Sequence, residues 1–170
     1  MLHSLFSLAA TGSFCWLVTS SLWIYPHSLS YFNESIGGPL NGPKHLLGSN
    51  VDWGQDLRYL REREINGDFD NVALFMAYFG YVSPADLGFN KTLQLNDISI
   101  RKQRMPGHSS CAISVTLFYN RQYEARDGWR GKYEIEEEVW RKLRAQKKGT
   151  LLAYSMYLIN MTSLNLFTDN

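Results

Sequence analysis

The hydrophobic pattern divides the chain into three parts. The first is an apolar segment. Residues 1–33 contain no Lys, Arg, Asp or Glu, and residues 5–25 read LFSLAATGSFCWLVTSSLWIY. The apolar side chains lie all round this segment, not along one stripe. A helix that crosses the hydrocarbon of a bilayer needs ~20 mainly apolar residues, and this stretch has that length. Its Ser, Thr and Gly content suits close packing on neighbouring membrane helices. Trp16, Trp23 and Tyr25 supply aromatics of the kind found at membrane interfaces. A cleaved signal peptide fits less well, because a basic leading region and an Ala-x-Ala-like site are lacking. Flanking charge does not set the orientation.

The second part, residues 26–45, is a connector. Gly37-Gly38-Pro39 and Asn41-Gly42-Pro43 interrupt any regular element, while Leu29, Tyr31 and Phe32 are apolar enough to rest on a membrane surface. The third part, residues 46–170, carries alternating helical and strand signals. Asp52 and Gln55 have the spacing of a capping box, followed by Leu57, Leu60 and Ile65 on one helical face and a stop at Gly67. Residues 72–79 form a β-prone run. Ile98 and Ile100 alternate with polar residues, Pro106-Gly107 marks a turn, and residues 112–119 form a second strong β-prone run. Ile135, Val139 and Leu143 line one face of a helix over residues 133–146. Residues 151–159 close the chain as a last apolar strand. Helices alternating with strands that are apolar on both faces predict an α/β fold: one N-terminal transmembrane helix, then a small layered domain with a mainly parallel sheet. The predicted organisation is a transmembrane helix at 1–25, a juxtamembrane connector at 26–45 and a soluble α/β domain at 46–170. The runs at 72–79, 112–117 and 151–158 are expected to be neighbouring strands.

Charge and composition narrow the function. Seventeen basic and sixteen acidic residues leave a net charge of +1, which gives no electrostatic footprint for nucleic acid. The densest charged stretch, residues 134–148, runs from acids to bases, as suits a solvated helix face. Cys15 and Cys111 lie far apart in the pattern and read as free, buried thiols. No cysteine or histidine spacing suggests a metal site, and no cofactor motif is present: neither GxGxxG after a strand nor a P-loop. His27 and His45 read as residues that cap or line the connector.

The most informative stretch is SNVDWGQDL at residues 49–57. By chemistry alone it is a loop entering a helix, with Asp52 as the cap and Gln55 bonding back to it. Gly54 allows close approach of backbone or ligand. Trp53 offers a flat face for a sugar or for a core, and Asp56 sits where the helix dipole favours an acid. A structural cap is the more common use of such acids.

Three segments in order, Tyr-Pro-His-x-Leu-x-Tyr-Phe-Asn-Glu at 25–34, Gly-Gly-Pro-x-Asn-Gly at 37–42 and Ser-Asn-x-Asp-Trp-Gly-Gln-Asp-Leu at 49–57, resemble a known family. They are similar to the region that follows the last membrane helix in bacterial polyprenyl-phosphate-sugar glycosyltransferases, relatives of protein O-mannosyltransferases and of the lipid A aminoarabinose transferase. Weaker likeness continues through Tyr78-Phe79-Gly80, Pro84, Gly88, Pro106-Gly107, Ala112-Ile113-Ser114 and Tyr154-Ser155-Met156-Tyr157. The resemblance implies a fragment: the C-terminal, non-catalytic part of a membrane enzyme that passes sugar from a polyprenyl phosphate to an extracytoplasmic acceptor. It implies a bacterial inner-membrane location with the C-terminal domain outside the cytoplasm. The partners it implies are the membrane, a missing transmembrane body and the polyprenyl-phosphate sugar. The family's catalytic acid lies in an early loop that this chain does not match, so no catalytic residue carries over. The binding residues implied are Tyr31, Asn33, Asn50, Asp52, Trp53, Gly54, Gln55 and Asp56, with no metal. The alternative is a membrane-tethered α/β binding or interaction domain without enzymatic activity.

Overall fold

The computed structural model describes residues 2–47, 51–90, 92–95, 108–119, 124–146 and 149–161. The apolar segment forms helix α1, Leu2–Ile24. At 1.5 Å per residue its 23 residues span about 35 Å, enough for a hydrocarbon core of ~30 Å. It is the one helix among the described residues long and apolar enough to cross a membrane. Only Ser20 and Ile24 are buried, as expected of a helix with no single apolar stripe. Cys15 is therefore exposed, which corrects the expectation of a buried thiol, whereas Cys111 is buried.

The connector is made of three short 3-10 turns, Ser28–Ser30, Glu34–Ile36 and Gly42–Lys44. Its Gly42 packs against Phe32 so closely that a Cβ there would lie 2.2 Å from the ring. Glycine is required for that fold-back, which ties the second resembled segment to the first.

The residues after the connector form a three-layer α/β arrangement. Strands β1 (Ala73–Ala77), β2 (Leu93–Gln94), β3 (Ser109–Ser114), β6 (Thr150–Leu152) and β7 (Met156–Asn160) form a sheet in the order β2-β1-β3-β7-β6. Side chains alternate between faces along each strand. Phe75, Ala77, Cys111, Ile113 and Ile159 pack against Val139, Trp140 and Leu143 of helix α4, Glu137–Ala145. Leu74, Met76, Tyr78, Ala112 and Met156 pack against Leu57 and Leu60 of helix α2, Leu57–Ile65. A separate two-stranded ladder pairs β4, Ala125–Arg126, with β5, Lys132–Tyr133.

The sheet is mixed, not mainly parallel. β1 runs parallel to β2 and β3, but β7 is antiparallel to both β3 and β6. The expected last strand is a hairpin, turning at residues 153–155 where Ala153 takes a φ of 50°. The strand expected to continue past residue 114 gives way to a short helix α3, Val115–Tyr119. Its β-branched and aromatic residues favour a strand, but tertiary contacts override that preference. The Arg144 guanidinium donates to the Leu117 and Phe118 carbonyls, satisfying acceptors at the end of the helix. Helix α4 starts at Glu137 instead of residue 133 because Tyr133 is engaged in the β4–β5 ladder. Ile65 is exposed and contributes nothing to the α2 packing face. Residues 98, 100, 106 and 107 lie outside the described residues.

Candidate functional site

The site lies just beyond the C-terminal ends of parallel strands β1 and β3, the usual place for ligand crevices in open α/β sheets. Three chain segments meet there: the turn at residues 51–56, the start of the connector, and the β6–β7 turn.

The turn is held by its own polar side chains. Asp52 Oδ1 accepts the Gly54 N–H at 2.9 Å. Gln55 Oε1 accepts the Trp53 N–H at 2.8 Å. The Gln55 amide donates to the Val51 carbonyl at 2.8 Å and to Ser30 Oγ at 3.2 Å, and Ser30 donates to the same Val51 carbonyl at 3.1 Å. The capping-box pair therefore builds a turn and not a helix cap. Helix α2 begins only at Leu57, and Asp56 occupies its cap position without a side-chain capping bond.

Asp56 points elsewhere. It is fully buried, and its Oδ2 accepts the backbone N–H groups of Tyr154 at 2.9 Å and Ser155 at 2.7 Å. Its Oδ1 lies 3.4 Å from His27 Nδ1. The His27 ring packs between Tyr59, with centroids 5.0 Å apart, and Tyr154, edge-on at 5.2 Å. One carboxylate thus ties the connector to a turn 98 residues away.

Two glycines close the site around Tyr78. A Cβ on Gly54, which has a φ of 83°, would fall 1.9 Å from the Tyr78 hydroxyl, and one on Gly80 would fall 2.1 Å from it. Among the described residues, the buried hydroxyl of Tyr78, Asp52 Oδ2 and Asp56 Oδ1 have no hydrogen-bond partner. Trp53 projects outward, 45% exposed, with its ring 5.9 Å from Tyr81; the Arg126 guanidinium lies 5.0 Å over the other aromatic of that pair, Tyr81.

The expected site residues thus separate. Asp52, Trp53, Gly54, Gln55 and Asp56 share one turn, in which Trp53 is exposed, Gln55 is half-buried and the rest are buried. Tyr31 and Asn33 serve the connector: Tyr31 OH lies 3.2 Å from Ser20 Oγ, and Asn33 caps the turn Glu34–Ile36 through the Ser35 N–H. Among the described connector residues, His27 and Ser30 make polar contacts to the turn, and Phe32 packs in one apolar cluster with Val51. Asn50 lies outside the described residues. Sequence reasoning missed the roles of His27, Tyr78 and Tyr154. Tyr78 and Tyr154 carried only the weaker family likeness, and His27 lay in a resembled segment but was read as lining the connector. Among the described residues, no group of three or more His, Cys, Asp or Glu is placed to hold a metal ion.

Burial pushes the Asp52 carboxyl up to about 7, outweighing the Gly54 N–H, the Ser114 hydroxyl and the Thr116 N–H, which favour its charged form; the nearby Asp56 adds to the rise. The folded state therefore keeps a proton that the unfolded chain releases between pH 3.8 and about 7. The stability this proton contributes is present below the lower value and lost as pH rises through the upper one. Asp52→Asn keeps the acceptor for Gly54 and removes the ionisation. In chemical denaturation it should be more stable than the native chain by about 1–2 kcal/mol at pH 8, with the gain shrinking at pH 5. A variant less stable by the same amount at both pH values would contradict the buried-acid account.

No protein-family model, curated protein or solved structure matches this chain.

Proposed function

We propose that this chain is the C-terminal, non-catalytic part of a membrane glycosyltransferase that passes sugar from a polyprenyl-phosphate carrier to an extracytoplasmic acceptor. Helix α1 is its last membrane helix, set in a bacterial inner membrane with the α/β domain on the outer side. One observation carries the reading: segments of the resemblance that are far apart in sequence meet at one place. His27 and Ser30 of the first segment touch Asp56 and Gln55 of the third, and Asp56 in turn binds Tyr154 and Ser155 of the closing one. Gly54 of the third closes on Tyr78. A chance likeness gives no reason for such residues to converge. The arrangement locks the soluble domain to the end of α1, as suits a domain that must sit in a fixed pose over a membrane body. Trp53, exposed and backed by Tyr81, is the member of the turn suited to meet a sugar or the missing body.

Purified chain in lipid nanodiscs, given polyprenyl-phosphate sugar and an acceptor, should release no polyprenyl phosphate above a boiled control. Turnover abolished by a single substitution in this chain would overturn the non-catalytic reading. It would favour an enzyme working through its own residues.

A further inference from the structure

A second site lies on α1 itself, where the connector returns to it. The Glu34 carboxylate accepts a hydrogen bond from the Ser20 hydroxyl. Tyr31 OH and the Trp16 indole also face it, and these donors, Ser20 foremost, hold its carboxyl below the usual range. Among the described residues no basic side chain pairs with Glu34. Trp16, Thr19, Ser20, Trp23 and Glu34 line a pocket of about 220 Å³. Trp16 and Trp23 are seven residues apart, two helical turns, and so share one face of α1.

We infer that this pocket binds the ammonium of a phosphoethanolamine lipid headgroup. A carboxylate with two indole side chains beside it suits an ammonium, which donates charge-assisted hydrogen bonds to the acid and is attracted by the aromatic rings. None of these lining residues is basic, and the Glu34 carboxylate repels an anion. Its place near the C-terminal end of α1 is continuous with the segment read as spanning the bilayer, at the depth where headgroups lie. The Ser20 and Thr19 hydroxyls give the pocket a polar wall toward the helix, and the connector sets Glu34 at its mouth. This inference rests on the membrane reading of α1.

The test uses the full chain in vesicles of phosphatidylcholine alone, or mixed with equal shares of phosphatidylethanolamine or phosphatidylglycerol. Flotation with the phosphatidylcholine vesicles is measured first. The chain is then extracted in detergent and retained lipid is counted by native mass spectrometry. Retention of phosphatidylethanolamine should exceed that of phosphatidylcholine by about tenfold, and Glu34→Gln should bring the ratio near one while leaving flotation unchanged. Trp23→Ala, on the exposed side of the pocket, should lower the ratio in the same direction. Soluble O-phosphoethanolamine should fail to displace the retained lipid; displacement would overturn the lipid as the source. Equal retention of the lipids, an excess of phosphatidylglycerol, or an unchanged ratio in Glu34→Gln would overturn the inference and leave the membrane reading standing. Absence of flotation would overturn both.

Discussion

Asp56→Ala should cost the fold about 3 kcal/mol, because it orphans two backbone N–H groups, one buried and one part-buried, that now share one carboxyl oxygen. The loss falls on a contact between the start of α2 and the β6–β7 turn, so no nearby residue can replace it. It also leaves the His27 ring without the carboxylate it faces. Asp56→Asn keeps an oxygen for the two amides and should cost only about 1 kcal/mol, the charge-assisted part of the bonds. Asp52→Ala should cost less than Asp56→Ala, since it removes one short-range bond to Gly54 and relieves a buried acid. Urea unfolding followed by tryptophan fluorescence reads all three. An Asp56→Ala cost within 0.5 kcal/mol of zero, roughly that of a neutral surface substitution, would mean that the turn does not depend on this carboxylate.

Gly54→Ala should be nearly as damaging, at roughly 2–4 kcal/mol. Two effects add. The left-handed backbone at Gly54 disfavours any side chain, and the new Cβ would overlap the Tyr78 ring and hydroxyl, with the nearest atom at 1.9 Å. Tyr78 is fully buried between sheet and α2, so its ring must shift within the core to admit the new atom. Tyr78→Phe alone should be close to neutral, because the lost hydroxyl is buried without a partner. In the double variant it should recover part of the Gly54→Ala cost but not all, since ring carbons still lie 2.5 and 2.7 Å from the new Cβ. Strictly additive costs in the double variant would contradict this steric account.

How far the sequence reveals this molecule depends on the range of the forces involved. Helix α1 is legible because the absence of charge over 33 residues is a local signal. Strands β1 and β3 and their adjacency are legible because Leu74, Phe75 and Met76, like Cys111, Ala112 and Ile113, are buried on both faces of the sheet. The apolar run after residue 150 looks equally continuous, yet it breaks at Ala153–Ser155. The group that holds that break is Asp56, far upstream, and no window of sequence contains both. The same holds for α3, whose end is satisfied by Arg144 from a different element. At the site, the spacing of Asp52 and Gln55 read as a helix cap, whereas the pair holds a tight turn before the helix. The same donors and acceptors serve a tight turn as well as a helix cap, and the closure of that turn on Ser30 decided between them. Trp53 read as a face for a sugar or for a core, and its exposure decides for the surface; the roles of His27, Tyr78 and Tyr154 depend on packing that spacing does not encode.

The central claim is that α1 lies in a membrane, fixed to the α/β domain by its connector, and the chain carries its own probe for it. Cys15 sits mid-helix and is exposed on the protein, whereas Cys111 is fully buried in the sheet and serves as a silent control. The full chain in sealed phosphatidylcholine vesicles is treated with a membrane-impermeant maleimide, then again after the vesicles are dissolved in mild detergent. The account predicts no labelling of Cys15 in vesicles, and labelling of Cys15 but not of Cys111 once the mild detergent has dispersed the bilayer. Rapid labelling of Cys15 in intact vesicles, at the rate of an exposed thiol in water, would contradict it.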